Sequence, residues 1–179
     1  MGESTALWTL AAPGLAIAER QTPASVLRIR RPDAAVIRAL GEAFGLSWPA
    51  APNTVAEGAV RIAWLAPGEW LLFASAEPVG EPVATACEGW LHHLSDVTAG
   101  YRLWRIEGPR SRDLLAKGAA LDTHPRVFRS GQCAQTLFAK VHALVIPDRS
   151  GDAFDLLTDV SFAGHVRAWF IDAAEEFRA

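Results

Sequence analysis

One local pattern occurs twice along the chain, each time where a predicted strand ends and a predicted helix begins. Residues 28–32 and 105–109 both read Arg-Ile-x-x-Pro, and Ile37 and Leu114 each lie five residues past the proline. Apolar side chains alternate before each proline and recur at helical spacing after it, as expected for a strand followed by a helix. Because a match of five residues can arise by chance, the repeated order of the surrounding elements is the stronger sign of a duplication.

The first half of the sequence predicts a strand, a helix, two strands and a second helix. The first strand contains Leu27, and the helix begins after Asp33, a favourable N-cap residue, and ends at Gly45. Residues 66–69 form the tight turn of a predicted hairpin. Pro82 then opens the second helix, whose apolar stripe consists of Val83, Ala86, Trp90, Leu91 and Leu94.

The second half repeats this order. Its predicted elements are a strand at 101–107, a helix at 110–117 with Gly118 as its C-cap, an extended segment at 133–146, a strand at 153–158 and a last helix capped by Asp159 or Ser161. We therefore predict an α+β fold of two βαββα units, with antiparallel-rich sheets covered by helices. Residues 1–179 are expected to form a single domain made of two pseudo-repeats, approximately 24–95 and 100–178. This order differs from that of a doubly wound Rossmann domain.

Composition and charge argue against several classes of function. Half of the 179 residues are apolar and 21% are charged, so the chain can bury a core without disulfides. A net charge of −3 argues against nucleic-acid binding, which needs a basic face. The apolar run at 6–18 is too short and interrupted to span a bilayer, and it lacks the positive start of a signal peptide. Together with the widely separated Cys87 and Cys133, these features favour a cytoplasmic protein that contacts neither nucleic acid nor membrane.

No pattern of chemically active residues predicts a catalytic, cofactor-binding or metal site. The dinucleotide and P-loop glycine motifs are absent from the sequence. The histidines lack zinc-ligand spacing: His92, His93, His124, His142 and His165. Asp96 and Asp122 stand beside or near threonines, where an aspartate usually caps or closes a turn. Asp155, in the middle of a predicted strand, is the best candidate for a shifted pKa if its side chain faces inward.

Four sequence blocks resemble the gamma subunit of heterotetrameric sarcosine oxidase. They are residues 65–72, 108–118, 121–128 and 131–137, and the resemblance extends from about residue 60 to residue 170. Members of that family often carry a cysteine after the Lys-Gly pair, whereas this chain has Ala119, so no role for a thiol is carried over. The family in turn resembles the folate-binding fold of aminomethyltransferase, in agreement with the predicted duplication.

The resemblance implies a non-catalytic gamma subunit of a four-chain enzyme that oxidatively demethylates sarcosine to glycine. This chain would brace the large alpha subunit in a complex that also contains beta and delta subunits. The resemblance also implies that FAD, FMN, NAD, tetrahydrofolate and zinc are carried by the other subunits and that this chain binds none of them. Because N-methylglutamate dehydrogenase has an equivalent subunit, the amine substrate stays open.

Two biases in composition bear on a protein partner. The chain has seven tryptophans against one tyrosine, and only Lys117 and Lys140 are lysines among its 17 lysines and arginines. A GC-rich genome accounts for many arginines, but tryptophan and arginine are also enriched where proteins contact one another. Trp8, Trp48 and Trp70 lie in or beside predicted loops, and they are the candidates for an exposed interface.

Two other classes of function remain open at this point. An independent tetrahydrofolate-binding protein or aminomethyltransferase would use Asp96 to hold the pterin, and Arg110 and Arg112 to hold the glutamate tail. A small flavoprotein would be yellow on purification. Binding of tetrahydrofolate to the isolated chain, or its colour, distinguishes these classes from a non-catalytic subunit.

Overall fold

The computed structural model describes residues 6–75 and 77–178, and the chain divides into two compact units. Of the described residues, the first unit contains those from 22 to 98, and the second combines residues 6–21 with residues 99–178. The predicted pseudo-repeats, 24–95 and 100–178, lie in the first and the second unit respectively. That the two units together make a single domain stays a prediction.

The described residues form eleven strands and four α-helices. The strands are β1 Trp8–Ala12, β2 Leu15–Arg20, β3 Ala24–Ile29, β4 Val55–Glu57, β5 Arg61–Ala66, β6 Glu69–Phe73, β7 His92–Asp96, β8 Tyr101–Glu107, β9 Ala134–Phe138, β10 Val141–Pro147 and β11 Ala153–Asp159. The helices are α1 Ala34–Phe44, α2 Gly80–Ala86, α3 Ser111–Gly118 and α4 Ala163–Ala174. Within these residues, no helix has the length and the apolar character needed to cross a membrane.

The first unit contains a five-stranded sheet in the order β4-β5-β6-β3-β7, in which every neighbouring pair is antiparallel. Strand β3, which lies between β6 and β7, leads into α1, and the β5–β6 hairpin leads into α2. Residues from the sheet and both helices form one apolar core, which includes Leu27, Leu40, Ile62, Trp70, Leu72 and Val83. The predicted strand, helix, hairpin and helix are therefore all present.

The second unit contains a six-stranded antiparallel sheet in the order β1-β2-β8-β11-β10-β9. Read from β9 to β2, this order matches that of β4 to β7 in the first unit, with β8 in the place of β3. The two sheets differ at one end, because β7 follows α2 along the chain whereas β2 comes from the N-terminal hairpin, which also adds β1. The α+β class with antiparallel sheets is confirmed, and each unit has strands beyond the predicted βαββα set.

Two predicted elements have the wrong extent, because each of them runs through a turn of the chain. Helix α2 ends at Ala86 instead of continuing through Leu94, because the chain reverses at Gly89 with φ +81° and Leu94 lies in β7. The extended segment at 133–146 is a hairpin of β9 and β10, whose turn residues Ala139 and Lys140 have φ values of +48° and +69°. Such turns favour Asn-Gly, so Ala-Lys provides no recognisable turn signal.

Smaller differences occur at the N-terminus and at the end of α3. The hairpin of β1 and β2 was not predicted, and its turn contains Gly14 with φ +72°. Gly118 is the last residue of α3, and Ala119 is the C-cap. A Cβ at Gly118 would lie 2.6 Å from Cε2 of Phe138 and 2.8 Å from Cη2 of Trp169. Side-chain packing therefore leaves no space for a larger residue at this position.

Helix α1 has both ends predicted from sequence. The Asp33 carboxylate accepts the N–H groups of Ala35 at 2.8 Å and Val36 at 3.2 Å. Gly45 has a left-handed backbone, and its N–H turns back to the carbonyls of Gly41 and Glu42. These contacts satisfy backbone groups that the helix itself cannot pair.

We expect Asp33→Ala to lower the free energy of unfolding by about 1 kcal/mol, because the first turn of α1 loses its side-chain acceptor. Urea denaturation followed by circular dichroism measures the change. Asp33→Asn is the matched control, since its amide oxygen still accepts the N–H groups, and it should stay within a few tenths of a kcal/mol of the parent chain. Equal losses in both variants would contradict this role for Asp33.

Candidate functional site

The repeated Arg-Ile-x-x-Pro pattern places an arginine opposite a carboxylate in each unit. Arg28 on β3 lies across from Glu69 on β6, with 2.7 Å between Nη2 and Oε1. Arg105 on β8 lies across from Asp155 on β11, with 3.4 Å between Nη1 and Oδ2. The sequence duplication therefore extends to a cross-strand ion pair at corresponding places in the two sheets.

Arg105 is the centre of the larger of these two ion-pair clusters. Its Nε lies 2.8 Å from Oε1 of Glu107, and its Nη2 lies 2.9 Å from Oδ2 of Asp148. Burial alone would lower the pKa of the Arg105 guanidinium, but Asp155 and the other two carboxylates outweigh it and raise that pKa. The arginine therefore stays charged and balances Asp155, which faces inward as the sequence analysis considered.

Asp148 is stabilised in its charged form by the same cluster. Burial alone would raise the pKa of Asp148, but the N–H of Ser150 and the Arg105 guanidinium hold it below its usual value. A lowered pKa in the folded state stabilises the fold above the unfolded-state pKa of about 3.9, and that contribution is lost as the pH falls through the folded-state pKa. This cluster is therefore a structural element of the second unit.

Glu19 is a second buried carboxylate, and the sequence analysis did not single it out. It has no exposed surface, lies 3.4 Å from Nε of Arg102 through Oε1, and accepts a hydrogen bond from Nε of Arg167 through Oε2. These contacts link β2, β8 and α4. A sequence signal does exist, because Glu19 continues the inward-facing series of Leu15 and Ile17 along β2.

The contacts of two histidines and one cysteine are structural. His92 donates from Nδ1 to the Trp90 carbonyl at 2.9 Å, and Nε2 of His165 lies 2.8 Å from the Ala139 carbonyl oxygen. Cys87 follows α2, whereas His92 lies in β7, so the predicted helix through Leu94 does not hold both residues. Burial raises the pKa of the Cys87 thiol, so less of the reactive thiolate forms at neutral pH. In the part of the chain that the structure describes, no three His, Cys, Asp or Glu side chains are grouped closely enough to hold a metal ion.

The three residues considered for folate binding each have a role within their own unit. The Thr98 hydroxyl and N–H lower the pKa of Asp96, which forms an exposed turn. Arg110 pairs with Asp113 at 2.9 Å. Arg112 lies over the ring of Phe154, with 4.9 Å to its centroid, and its Nη2 donates to the Gly151 carbonyl at 2.8 Å. These contacts explain the residues without a bound pterin.

The tryptophans proposed as interface candidates differ in exposure. Trp48 is 5% and Trp70 is 2% exposed, and their rings pack edge to face at 5.6 Å in the core of the first unit. They therefore do not offer the exposed surface that an interface role requires. Trp8 is half-buried and packs edge to face on Trp104 at 6.2 Å, so part of its ring stays accessible.

Helix α4 provides apolar surface that the sequence analysis did not identify. We call the residues Gly164, Ala168 and Ile171, together with Phe162 at its start, the α4 outer face. All four are exposed, Ile171 and Phe162 to 47% and 46% respectively. An outward helix surface is normally charged, as Arg38 and Glu42 are on α1. Asp172 and Glu175 are exposed beside these residues, so the α4 outer face is an apolar patch bordered by charge and a candidate for contact with another protein.

Comparison with known proteins gives consistent matches. The model of the sarcosine oxidase gamma subunit family matches residues 28–176. The chain is 32% identical over 148 residues to sarcosine oxidase subunit gamma of Corynebacterium sp. (strain U-96), a match covering 79% of this chain and 70% of that protein.

Solved structures agree with these sequence matches. The chain is similar to one in heterotetrameric sarcosine oxidase from Corynebacterium sp. U-96 in complex with pyrrole 2-carboxylate, with a TM-score of 0.83 and 29% identity over 96% of this chain and 89% of that chain. It is also similar to glycine cleavage system aminomethyltransferase T from Bartonella henselae, with a TM-score of 0.58 and 11% identity over 83% and 43% of the two chains. The second likeness confirms the fold expected from the duplicated sequence.

Proposed function

The chain belongs to the sarcosine oxidase gamma subunit family, and from this membership we propose that it is a non-catalytic subunit of a heterotetrameric sarcosine oxidase. The observation that most supports this proposal is the structural match, which covers 96% of this chain and 89% of a chain from such a complex. A likeness this extensive supports the proposal that the chain has the fold of a subunit of such a complex. We take its role to be bracing the large alpha subunit, in a complex that also has beta and delta subunits.

The chemistry of the buried carboxylates supports a structural role. A general acid or base has to exchange a proton with a substrate that can reach it. Glu19 meets Arg102 and Arg167 inside the second unit, and Asp155 meets Arg105. These arginines balance the carboxylate charges, so both acids contribute to the fold. The amine oxidation and its FAD, FMN, NAD, tetrahydrofolate and zinc belong, in this proposal, to the other subunits of a cytoplasmic complex.

The α4 outer face supports docking through the second unit. Permanent subunit interfaces are more apolar than the remaining protein surface. Phe162 and Ile171 offer large apolar side chains, while Gly164 and Ala168 allow a partner to approach the helix backbone closely. Trp8 lies in the same unit and packs on Trp104, which in turn contacts Phe170 of α4. We propose this face as the contact with the alpha subunit.

The chain, tagged and expressed at its native level, should co-elute with a much larger flavin-carrying chain whose flavin is reduced when sarcosine is added. Ile171→Asp should abolish co-elution, because a carboxylate would be buried in an apolar contact. Val127→Asp is the matched control, since Val127 is also an exposed apolar residue of the second unit, and it should keep the partner. A clean monomer, or tetrahydrofolate binding by the isolated chain at micromolar concentration, would refute the proposed function. Equal losses in the two variants would refute the docking face.

A further inference from the structure

We propose that a groove in the first unit binds an acidic segment of the large subunit, an inference that rests on the proposed function. The groove is shallow and open to solvent, with a volume of about 340 Å³. Its floor is the end of β3, and its walls are the β5–β6 turn on one side and the start of β7 on the other. The lining residues that matter for the argument are Arg28, Arg30, Gly68, Leu91 and His93.

Backbone hydrogen bonds hold the two walls of the groove in place. The N–H of Ile29 donates to the Gly68 carbonyl at 2.8 Å, and the N–H of Arg30 donates to the Leu91 carbonyl at 2.9 Å. The backbones of Arg30 and Leu91 are therefore held next to each other, and both side chains are exposed. A preformed site of this kind avoids part of the ordering cost of association.

The groove carries more positive than negative charge. Arg28 pairs with Glu69, but neither Arg30 nor the adjacent Arg31 forms an ion pair with any residue that the structure describes. Both are exposed, as is His93 on the far wall. The lining therefore carries one positive charge in excess, that of Arg30, and Arg31 adds a second positive charge next to the groove. It complements a partner segment that carries carboxylates, which arginine recognises well.

Leu91 indicates that the partner segment also has an apolar side chain. It is 68% exposed, more than any other large apolar residue in the described part of the chain. The predicted helix would have placed Leu91 in a core stripe, but the reversal after α2 turns it outward. An exposed leucine beside free arginines is suited to a short acidic segment with one apolar residue, in which the apolar contact adds to the charge complementarity.

The test measures binding of the full chain to the flavin-carrying large subunit, purified from a strain that lacks this chain. Arg30→Glu should weaken the affinity by about tenfold at low salt, with a smaller difference as salt screens the charges. Leu91→Asp, which changes the apolar contact, should weaken it at all salt concentrations. Arg38→Glu is the matched control, because Arg38 is an exposed arginine of the same unit outside the groove, and it should leave the affinity within twofold.

The two proposals fail in distinguishable ways. If the parent chain does not bind the large subunit at all, the proposed function is wrong and this inference falls with it. If the parent chain binds and Arg30→Glu and Leu91→Asp both bind within twofold of it, the groove proposal alone is overturned. Circular dichroism of each variant checks that its fold is unchanged, which is expected because both side chains are exposed.

Discussion

Gly108→Ala is expected to lower the free energy of unfolding by at least about 3 kcal/mol, because a Cβ at this position has no space and the backbone conformation is unfavourable for other residues. Gly108 has φ +111°, and a Cβ built on it would lie 2.4 Å from the carbonyl oxygen of Gly14. That oxygen cannot simply move away, because it also accepts the N–H of Arg110 at 3.0 Å. The N–H of Gly108 is held by the Asp152 carbonyl at 2.9 Å.

Guanidinium denaturation of the parent chain and of the Gly108→Ala variant measures this loss. Gly131→Ala is the matched control, since Gly131 has a similar positive φ of +85° but no atom within 4 Å of a built Cβ. Its expected loss is about 1 kcal/mol, from the backbone conformation alone. If Gly108→Ala cost no more than Gly131→Ala, the close approach of Gly14 would not explain why the second copy of the motif has glycine where the first has Arg31.

Glu19→Ala is the second substitution with a large expected effect, about 3 kcal/mol or more of lost stability. The variant leaves Arg102 without its carboxylate partner, although the Arg102 side chain is only 19% exposed. It also removes the ion pair between Arg167 on α4 and Glu19 on β2. The loss should appear as a lower denaturation midpoint with an unchanged dependence on denaturant, as expected when stability falls without a change in compactness.

Glu42→Ala provides the comparison for Glu19→Ala. Glu42 also pairs with an arginine, Arg38, but both side chains are about three-quarters exposed and the closest atoms are 4.0 Å apart. Exposed pairs of this kind contribute about 0.5 kcal/mol or less. If removing Glu19 were as harmless as removing Glu42, the buried ion pairs would not hold the N-terminal hairpin in the second unit.

Sequence reasoning identified the elements whose signals are local. Asp33 and Gly45 set both ends of α1, and the turn at 66–69 set the β5–β6 hairpin. It did not find the β9–β10 hairpin, because Ala139 and Lys140 adopt a positive φ without being typical turn residues. It also extended α2 into β7, because the apolar residues from Val83 to Leu94 fit helical spacing although the chain reverses between them.

The candidate site also has features that local sequence signals revealed and features that they did not. The two motif arginines, Arg28 and Arg105, were visible as a repeat, but their carboxylate partners come from strands that lie 41 and 50 residues away along the chain. Trp48 and Trp70 were expected to be exposed because they lie near loops, whereas packing with each other buries both rings. Exposure depends on these distant contacts and not on the neighbouring sequence.

The amino-acid sequence by itself determined the duplicated α+β order, the family resemblance and the helix ends, since these depend on residue spacing and on side chains that act on their own backbone. The tertiary structure alone decided which charges are neutralised, which tryptophans are covered and which faces remain apolar. These properties depend on the pairing of strands far apart in the chain, as in the contacts of Glu19 with Arg102 and Arg167. Local periodicity contains no information about those partners.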